Sequence, residues 1–329
     1  MADLFTKYLG LDLPNPVVVS SSGLTNSLEG VVECASAGAG AVVLKSIFEE
    51  QILAESTQLA DSSGAAYWHT EAADYIRDYG RENAVDYYED LIRGAKRETS
   101  IPIIASVHCV SAGRWTEFAS RFEKAGADAI ELNVYVFPAD PLRQTARENE
   151  QVYLDIVKAV KKRVGIPVSV KLGSSFSSLP EMALKLQDAG VDGLVLFNRF
   201  YPFDLNIEKM KLSPGAPLST PAEISTSLRW VSILSGLTTC DIAASTGVHD
   251  GAAVIKQLLA GADAVEVCSV LYQKGVDHVA SIVGELGEWM SRHGHASVAD
   301  FRGKLRQEMS SNPAAYERVQ FMKSTTPRE

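Results

Sequence analysis

The apolar positions of this chain come in short runs, and one arrangement recurs four times: Ser36–Ser46 reads SAGAGAVVLKS, Lys124–Val134 KAGADAIELNV, Asp188–Asn198 DAGVDGLVLFN and Leu259–Ser269 LAGADAVEVCS. Each is a helix end, an Ala-Gly or similar pair, a short apolar run and a polar residue. The glycine is where a helix terminates in left-handed geometry. A run this short and this uniformly apolar predicts a strand buried on both faces, as in parallel sheets. Pro16–Ser20, Ile101–Val107, Ile166–Lys171 and Cys240–Ala244 predict four more strands. A proline at a strand's first residue gives up only one ladder donor.

Between these runs the pattern predicts helices over Leu28–Ala37, Ala84–Glu98, Thr116–Ala125, Glu148–Arg163, Leu179–Ala189, Ala222–Ser235 and Ala252–Leu259. Two more are expected after the last strand, near Val276–His293 and Val298–Ser310. Eight strands alternating with helices predict an α/β protein, a (β/α)8 TIM barrel forming one domain over residues 1–329. An open doubly wound sheet is the alternative, but no GxGxxG follows the first strand. Two insertions, about 49–83 and about 200–221, follow strand ends, where barrel enzymes place substrate-covering loops.

Composition narrows the class. Of 329 residues, 46% are hydrophobic and 22% charged, which is enough apolar surface for a folded core. The net charge of −10, with no basic stretch, argues against a nucleic-acid partner. Met1–Pro14 lacks the apolar segment of a signal peptide, and no uncharged apolar run reaches the roughly 18 residues of a membrane span. Cys34, Cys109, Cys240 and Cys268 form no CxxC pair and sit in apolar surroundings. A soluble cytoplasmic protein without a membrane partner is expected.

In such a barrel the chemistry sits at the C-terminal strand ends. Those positions carry Ser20–Gly23, Lys45-Ser46, His108, Asn133, Lys171, Asn198-Arg199, Ser245-Thr246-Gly247 and Cys268-Ser269. A lysine ending a buried strand is costly unless it meets an anion or an electron-rich ligand. Ala244–Gly251 (ASTGVHDG) is a turn whose backbone N–H groups suit an anion, and the loops after strands seven and eight of a barrel often bind phosphate. His249, inside that turn, reads as solvated. The histidines show no metal-ligand spacing, so no metal is expected. These residues alone leave open a flavin-free barrel that binds a sugar phosphate for lyase or isomerase chemistry, with Lys171 as the catalytic amine.

The ordered motifs resemble the dihydroorotate dehydrogenase family, its soluble class 1 branch in particular. Carrying the resemblance are Asn15-Pro16, Ser21-Ser22-Gly23, Ala39-Gly40-Ala41 with Lys45-Ser46, Glu131-Leu132-Asn133, Val170-Lys171-Leu172, Gly193–Asn198, Thr246-Gly247-Val248, Val270–Gln273 and Ser297–Leu305. The resemblance implies an FMN-dependent oxidoreductase acting on CH–CH donors in pyrimidine biosynthesis, dihydroorotate to orotate, with hydride transfer to flavin N5. It implies Ser21, Ser22 and Gly23 against the flavin edge, and Lys45 and Ser46 on the isoalloxazine and substrate. Lys171 would lie near flavin N1. Thr246, Gly247 and Ser269 would hold the phosphate, with Ser245 and Cys268 beside them. Asn133 and Asn198 would bind the substrate, Asn133 also lying close to FMN. The family also implies a homodimer.

The departures concern the substrate side. The family's loop after strand four carries a cysteine base, and here Asn133–Pro138 reads NVYVFP, with Val136 at the cysteine position. Valine accepts no proton. Tyr135 is the residue of that loop that could stand in, given a depressed pKa. Arg77 falls where the family has a third substrate asparagine, and Arg199 where it has a hydroxyl residue. Both would add positive charge to the mouth and suit an acidic substrate. The alternative is a flavoprotein reductase or dehydrogenase with a different acidic substrate, or a flavin-binding module without turnover.

Overall fold

The computed structural model describes residues 2–49, 70–109, 112–136, 145–199 and 202–317, with side chains over 70–82 left aside. The eight predicted strands form one closed parallel ring. They are β3 (Val17–Val19), β4 (Ala41–Val43), β6 (Ile103–His108), β7 (Ala129–Asn133), β8 (Val168–Leu172), β9 (Gly193–Leu196), β12 (Asp241–Ala244) and β13 (Ala264–Val267). The order runs β4-β3-β13-β12-β9-β8-β7-β6, and pairing of β4 with β6 closes it. A two-residue strand, β5 (Ile47–Phe48), extends along the top of β6. The (β/α)8 barrel is therefore the fold.

The helices are α1 (Leu28–Ser36), α2 (Thr70–Glu98), α3 (Ala112–Ala125), α4 (Ala146–Lys161), α5 (Leu179–Asp188), α6 (Ile224–Leu234), α7 (Gly251–Ala260), α8 (Ser269–Lys274), α9 (His278–Arg292) and α10 (Ala314–Glu317). The recurrent Ala-Gly signal marks what it predicted. Gly38, Gly126, Gly190 and Gly261 follow α1, α3, α5 and α7 with φ of 94°, 102°, 95° and 112°. Helix starts are equally local: Ser27 caps α1, and Thr145 and Glu148 form a capping box on α4.

The structure adds to these expectations and corrects two of them. Ahead of the first barrel strand, β1 (Thr6–Tyr8) and β2 (Leu11–Leu13) pair through a two-residue turn at Leu9-Gly10, φ 55° and 71°. This hairpin plugs the barrel floor, where Tyr8, Leu9 and Leu13 pack on inward residues such as Val18, Val43, Ile104, Ala129 and Ala264. The Leu9 amide donates to Asp241 Oδ2 at 2.6 Å. Val298–Ser310 is not one helix but two 3-10 turns, Val298–Asp300 and Gln307–Met309. The helix expected at Ala84 starts at Thr70, within the first insertion, of which 50–69 lie outside the described residues. The second insertion carries a hairpin, β10 (Phe203–Asn206) with β11 (Lys211–Pro214).

The barrel strands are also less uniform than their apolar runs suggested. Inward and outward residues alternate. The outward set, such as Ile130, Leu132, Val168, Val170, Val265 and Val267, packs under the helices. The inward set is apolar only at the floor. One layer higher it becomes Ser106, Glu131, Ser169, Lys171 and Glu266, all buried.

Candidate active site

The buried polar layer opens into a cavity of about 710 Å3 at the C-terminal mouth, lined by Ser20, Ser21, Lys171, Asn198, Ser219, Ser245, Thr246, Gly247, Glu266, Cys268 and Ser269 among others. Its size suits a ligand of cofactor dimensions. At one end, the turn after β12 holds two successive left-handed residues, Thr246 (φ 75°) and Gly247 (φ 78°). A Cβ on Gly247 would come within 2.2 Å of the Ile224 backbone nitrogen, so the turn is pressed against the start of α6. The Thr246 hydroxyl donates to the Phe197 carbonyl. Among the described residues, the N–H groups of Gly247, Val248 and Ser269 find no protein acceptor. Such a cluster of free donors suits a phosphate.

The second insertion closes on this end. The Ser219 amide donates to Ser269 Oγ at 2.9 Å, and Ser219 Oγ lies 3.1 Å from His249 Nε2. His249 is thus buried, not solvated, and burial pushes its pKa down. Arg199 spends its guanidinium here as well. Its Nε pairs with Glu223 at 2.9 Å, and another nitrogen donates to the Ala216 and Pro217 carbonyls. It anchors the returning insertion rather than offering a free charge. The Arg77 side chain lies outside the described residues.

At the cavity floor the Lys171 ammonium is nearly enclosed. It sits 2.5 Å from Glu266 Oε2, 3.0 Å from Ser20 Oγ and 3.7 Å from Glu131 Oε1. Burial would lower its pKa, but the two carboxylates carry it above its ordinary value.

A hydroxyl-amide chain crosses the rest of the mouth. Ser21 Oγ accepts from the Ser46 amide at 2.8 Å, and Ser46 Oγ is 3.1 Å from Ser21 Oγ and 2.8 Å from Ser106 Oγ. Asn133 Nδ2 donates to Ser46 Oγ at 3.3 Å, and Asn198 Nδ2 donates to Asn133 Oδ1 at 2.7 Å. His108 Nδ1 lies 2.7 Å from the Asn133 carbonyl. Ser21, Ser46, Asn133 and Asn198 are therefore brought together from four strand ends. Lys45, half-buried beside Ser46, meets no anion among the described residues. Ser22 and Gly23 stand behind the wall. Ser22 caps the 3-10 turn Gly23–Thr25, and a Cβ on Gly23 would lie 2.7 Å from the Tyr272 hydroxyl.

A second cavity, about 330 Å3, adjoins the first at Asn198 and is walled by Tyr135, Val136, Tyr153 and Phe176. The Val136 amide donates to the Tyr153 hydroxyl at 3.2 Å. Burial raises the Tyr135 pKa rather than depressing it, so the phenol stays protonated at neutral pH. That removes the condition on which Tyr135 could replace a base. Ser106, Ser219 and Glu266 are members of the site that the sequence reading did not single out. A visible signal for Glu266 was the charged residue inside the run AVEVCS.

Comparison with known proteins agrees with this geometry. The catalytic subunit of dihydroorotate dehydrogenase B (NAD+) from Thermoplasma acidophilum is 27% identical over 307 residues, 92% of this chain and 99% of its own length. The corresponding subunit from Methanocaldococcus jannaschii is 29% identical over 291 residues, 86% of this chain and 92% of its own. The sequence profile of dihydroorotate dehydrogenase matches residues 3–290, and with that match across the whole barrel the chain belongs to the dihydroorotate dehydrogenase family.

Proposed function

We propose that this protein is an FMN-dependent oxidoreductase acting across a carbon–carbon single or double bond of a small acidic substrate, in the manner of dihydroorotate oxidation. The observation that carries the reading is the mouth cavity, with a donor-rich turn at one end, Lys171 at its floor and the Asn133–Asn198 pair on the far wall. These residues fit FMN. Thr246, Gly247 and Ser269 would hold the phosphate, and Ser21, Ser46 and Lys171 would meet the ring edge. When bound, FMN supplies a two-electron hydride acceptor and donor.

The chain's own groups do the rest. Asn133 and Asn198, linked to each other and to Ser46, present fixed amides to a substrate ring. Lys45 is the half-buried cation at the mouth without a protein anion among the described residues, so it replaces Arg199 as the expected partner for a substrate carboxylate. The second cavity holds Val136 where the family places its base. Tyr135, kept protonated, is suited to giving a proton rather than taking one. This favours a second direction for the same chemistry, reduction of an activated double bond with Tyr135 as proton donor.

Purified protein should show the visible absorbance of bound flavin, and anaerobic dihydroorotate or a related acid should bleach it. Colourless protein that takes up no FMN on incubation would sink the reading. Flavin that dihydroorotate leaves oxidised, but that an acidic enoate reoxidises after photoreduction, would favour the reductive direction.

A further inference from the structure

The ion pair at the cavity floor is more heavily acidic than the site needs. Lys171 sits on β8 and Glu266 on β13, three positions apart around the ring with β12 and β9 between them, so their 2.5 Å contact crosses the barrel lumen. Ser20, from β3, accepts from Lys171 at 3.0 Å and donates to the same Glu266 oxygen at 2.7 Å. Glu131, on the neighbouring strand β7, brings a second carboxylate to 3.7 Å, and its Oε1 has no hydrogen-bond partner among the described residues. All three charged groups are at least nine-tenths buried, at 1%, 3% and 6% exposure for Glu131, Glu266 and Lys171. The other titratable groups beside them are the Tyr8 hydroxyl below and the Cys268 thiol above.

Two carboxylates and one ammonium in so dry a space cannot all carry charge. Burial first, then the Glu266 charge, pushes the Glu131 carboxyl up to about 8, so it holds a proton at neutral pH. Burial alone would raise Glu266, but the Lys171 ammonium brings it below its ordinary value. The resulting state is neutral Glu131 beside a Glu266–Lys171 ion pair, with no net charge.

We propose that Glu266 is a positioning residue that holds Lys171 across the lumen and cancels its charge, so that FMN bound above meets a compensated cation and keeps a low reduction potential. The inference rests on the FMN reading given above. A free ammonium near flavin N1 stabilises the negative charge of the two-electron-reduced ring and raises its potential. A carboxylate in contact with that ammonium removes most of this field. A flavin held low in potential gives up hydride readily, in keeping with a substrate side that has a protonated phenol and a valine in place of a base.

The test is made in a Glu131→Gln background, so that Glu131 cannot ionise in place of Glu266, and compares that holoenzyme with its Glu266→Gln derivative by dye-equilibrated photoreduction and by sulfite titration, since sulfite adds to flavin N5 and reports positive charge near N1. Both proteins should bind FMN. The derivative should favour the reduced flavin at least tenfold more than its Glu131→Gln parent, an upward shift of about 30 mV per tenfold for a two-electron couple. It should also bind sulfite at least tenfold more tightly. Glu266→Asp keeps the charge but shortens the reach, and should move both readouts the same way by less. If Glu266→Gln does not fold, the Asp variant alone carries the test. A potential and a sulfite affinity unchanged in the folded variants would overturn the role of Glu266 while leaving the FMN reading intact. Wild-type protein that takes up no flavin would overturn both.

Discussion

Single side chains separate what this site keeps from what it changes. Val136 adds only a partly buried apolar wall to the second cavity. Val136→Cys should speed anaerobic bleaching of bound flavin by dihydroorotate on the order of 10²-fold, the usual worth of a general base. Equal rates in a stopped-flow comparison would show that something other than the missing base limits the reaction. Glu131 makes a prediction about stability. A carboxyl raised to about 8 binds, in the native state, a proton that the unfolded chain releases near 4.5. Its contribution is full below about 4.5 and is lost as pH rises through about 8. Glu131→Gln stays neutral throughout, so its melting temperature relative to wild type should climb across that window. Tyr8 predicts in the opposite sense. Its buried hydroxyl has no hydrogen-bond partner among the described residues. Tyr8→Phe should therefore be neutral or stabilising by about 1 kcal/mol, whereas Tyr8→Ala should cost about 3–5 kcal/mol.

At the scale of elements, helix ends were legible because the cause is local. An Ala-Gly pair ahead of an apolar run needs no partner to dictate a left-handed stop, and all four such glycines adopt one. Their costs on substitution should differ from that of Gly247. Gly38→Ala meets open space and should cost about 1–2 kcal/mol for backbone conformation alone. Gly247→Ala adds a clash with the α6 backbone, so denaturant melts should show a larger loss, together with weaker binding of any phosphate-bearing ligand. The floor hairpin was not legible. Its apolar residues Tyr8, Leu9 and Leu13 are spaced for a turn, and only their distant neighbours inside the barrel explain why they are buried. The Val298–Ser310 segment failed for a related reason. Ser297 and Asp300 form a capping box there, but the chain that follows is pinned to α7, where the Gly303 and Leu305 amides donate to the Leu258 and Leu259 carbonyls.

For the whole molecule, strand count and order followed from the repeat, while the charge layer in the lumen did not. An inward Glu266 looks like any strand residue until the ring closes and brings β8 opposite it. The ion pair of Arg199 was not legible for the same reason, since its partner Glu223 lies beyond an insertion whose path the sequence does not specify. That insertion's hairpin shows one apolar face, Phe203, Leu205 and Leu212, each more than 60% exposed. Among the described residues the face packs on nothing. Replacing all three by serine should leave the unfolding free energy within about 0.5 kcal/mol of wild type by chemical denaturation.

The floor hairpin has one further effect. Tyr8 and its apolar neighbours stopper the barrel from below, and among the described residues the cavity that reaches Lys171 and Glu266 opens at the mouth. Whatever settles there also corks the upper entrance. The protonation of the trio is then fixed at the moment of loading, and a later jump in solvent pH should register only as fast as the occupant leaves.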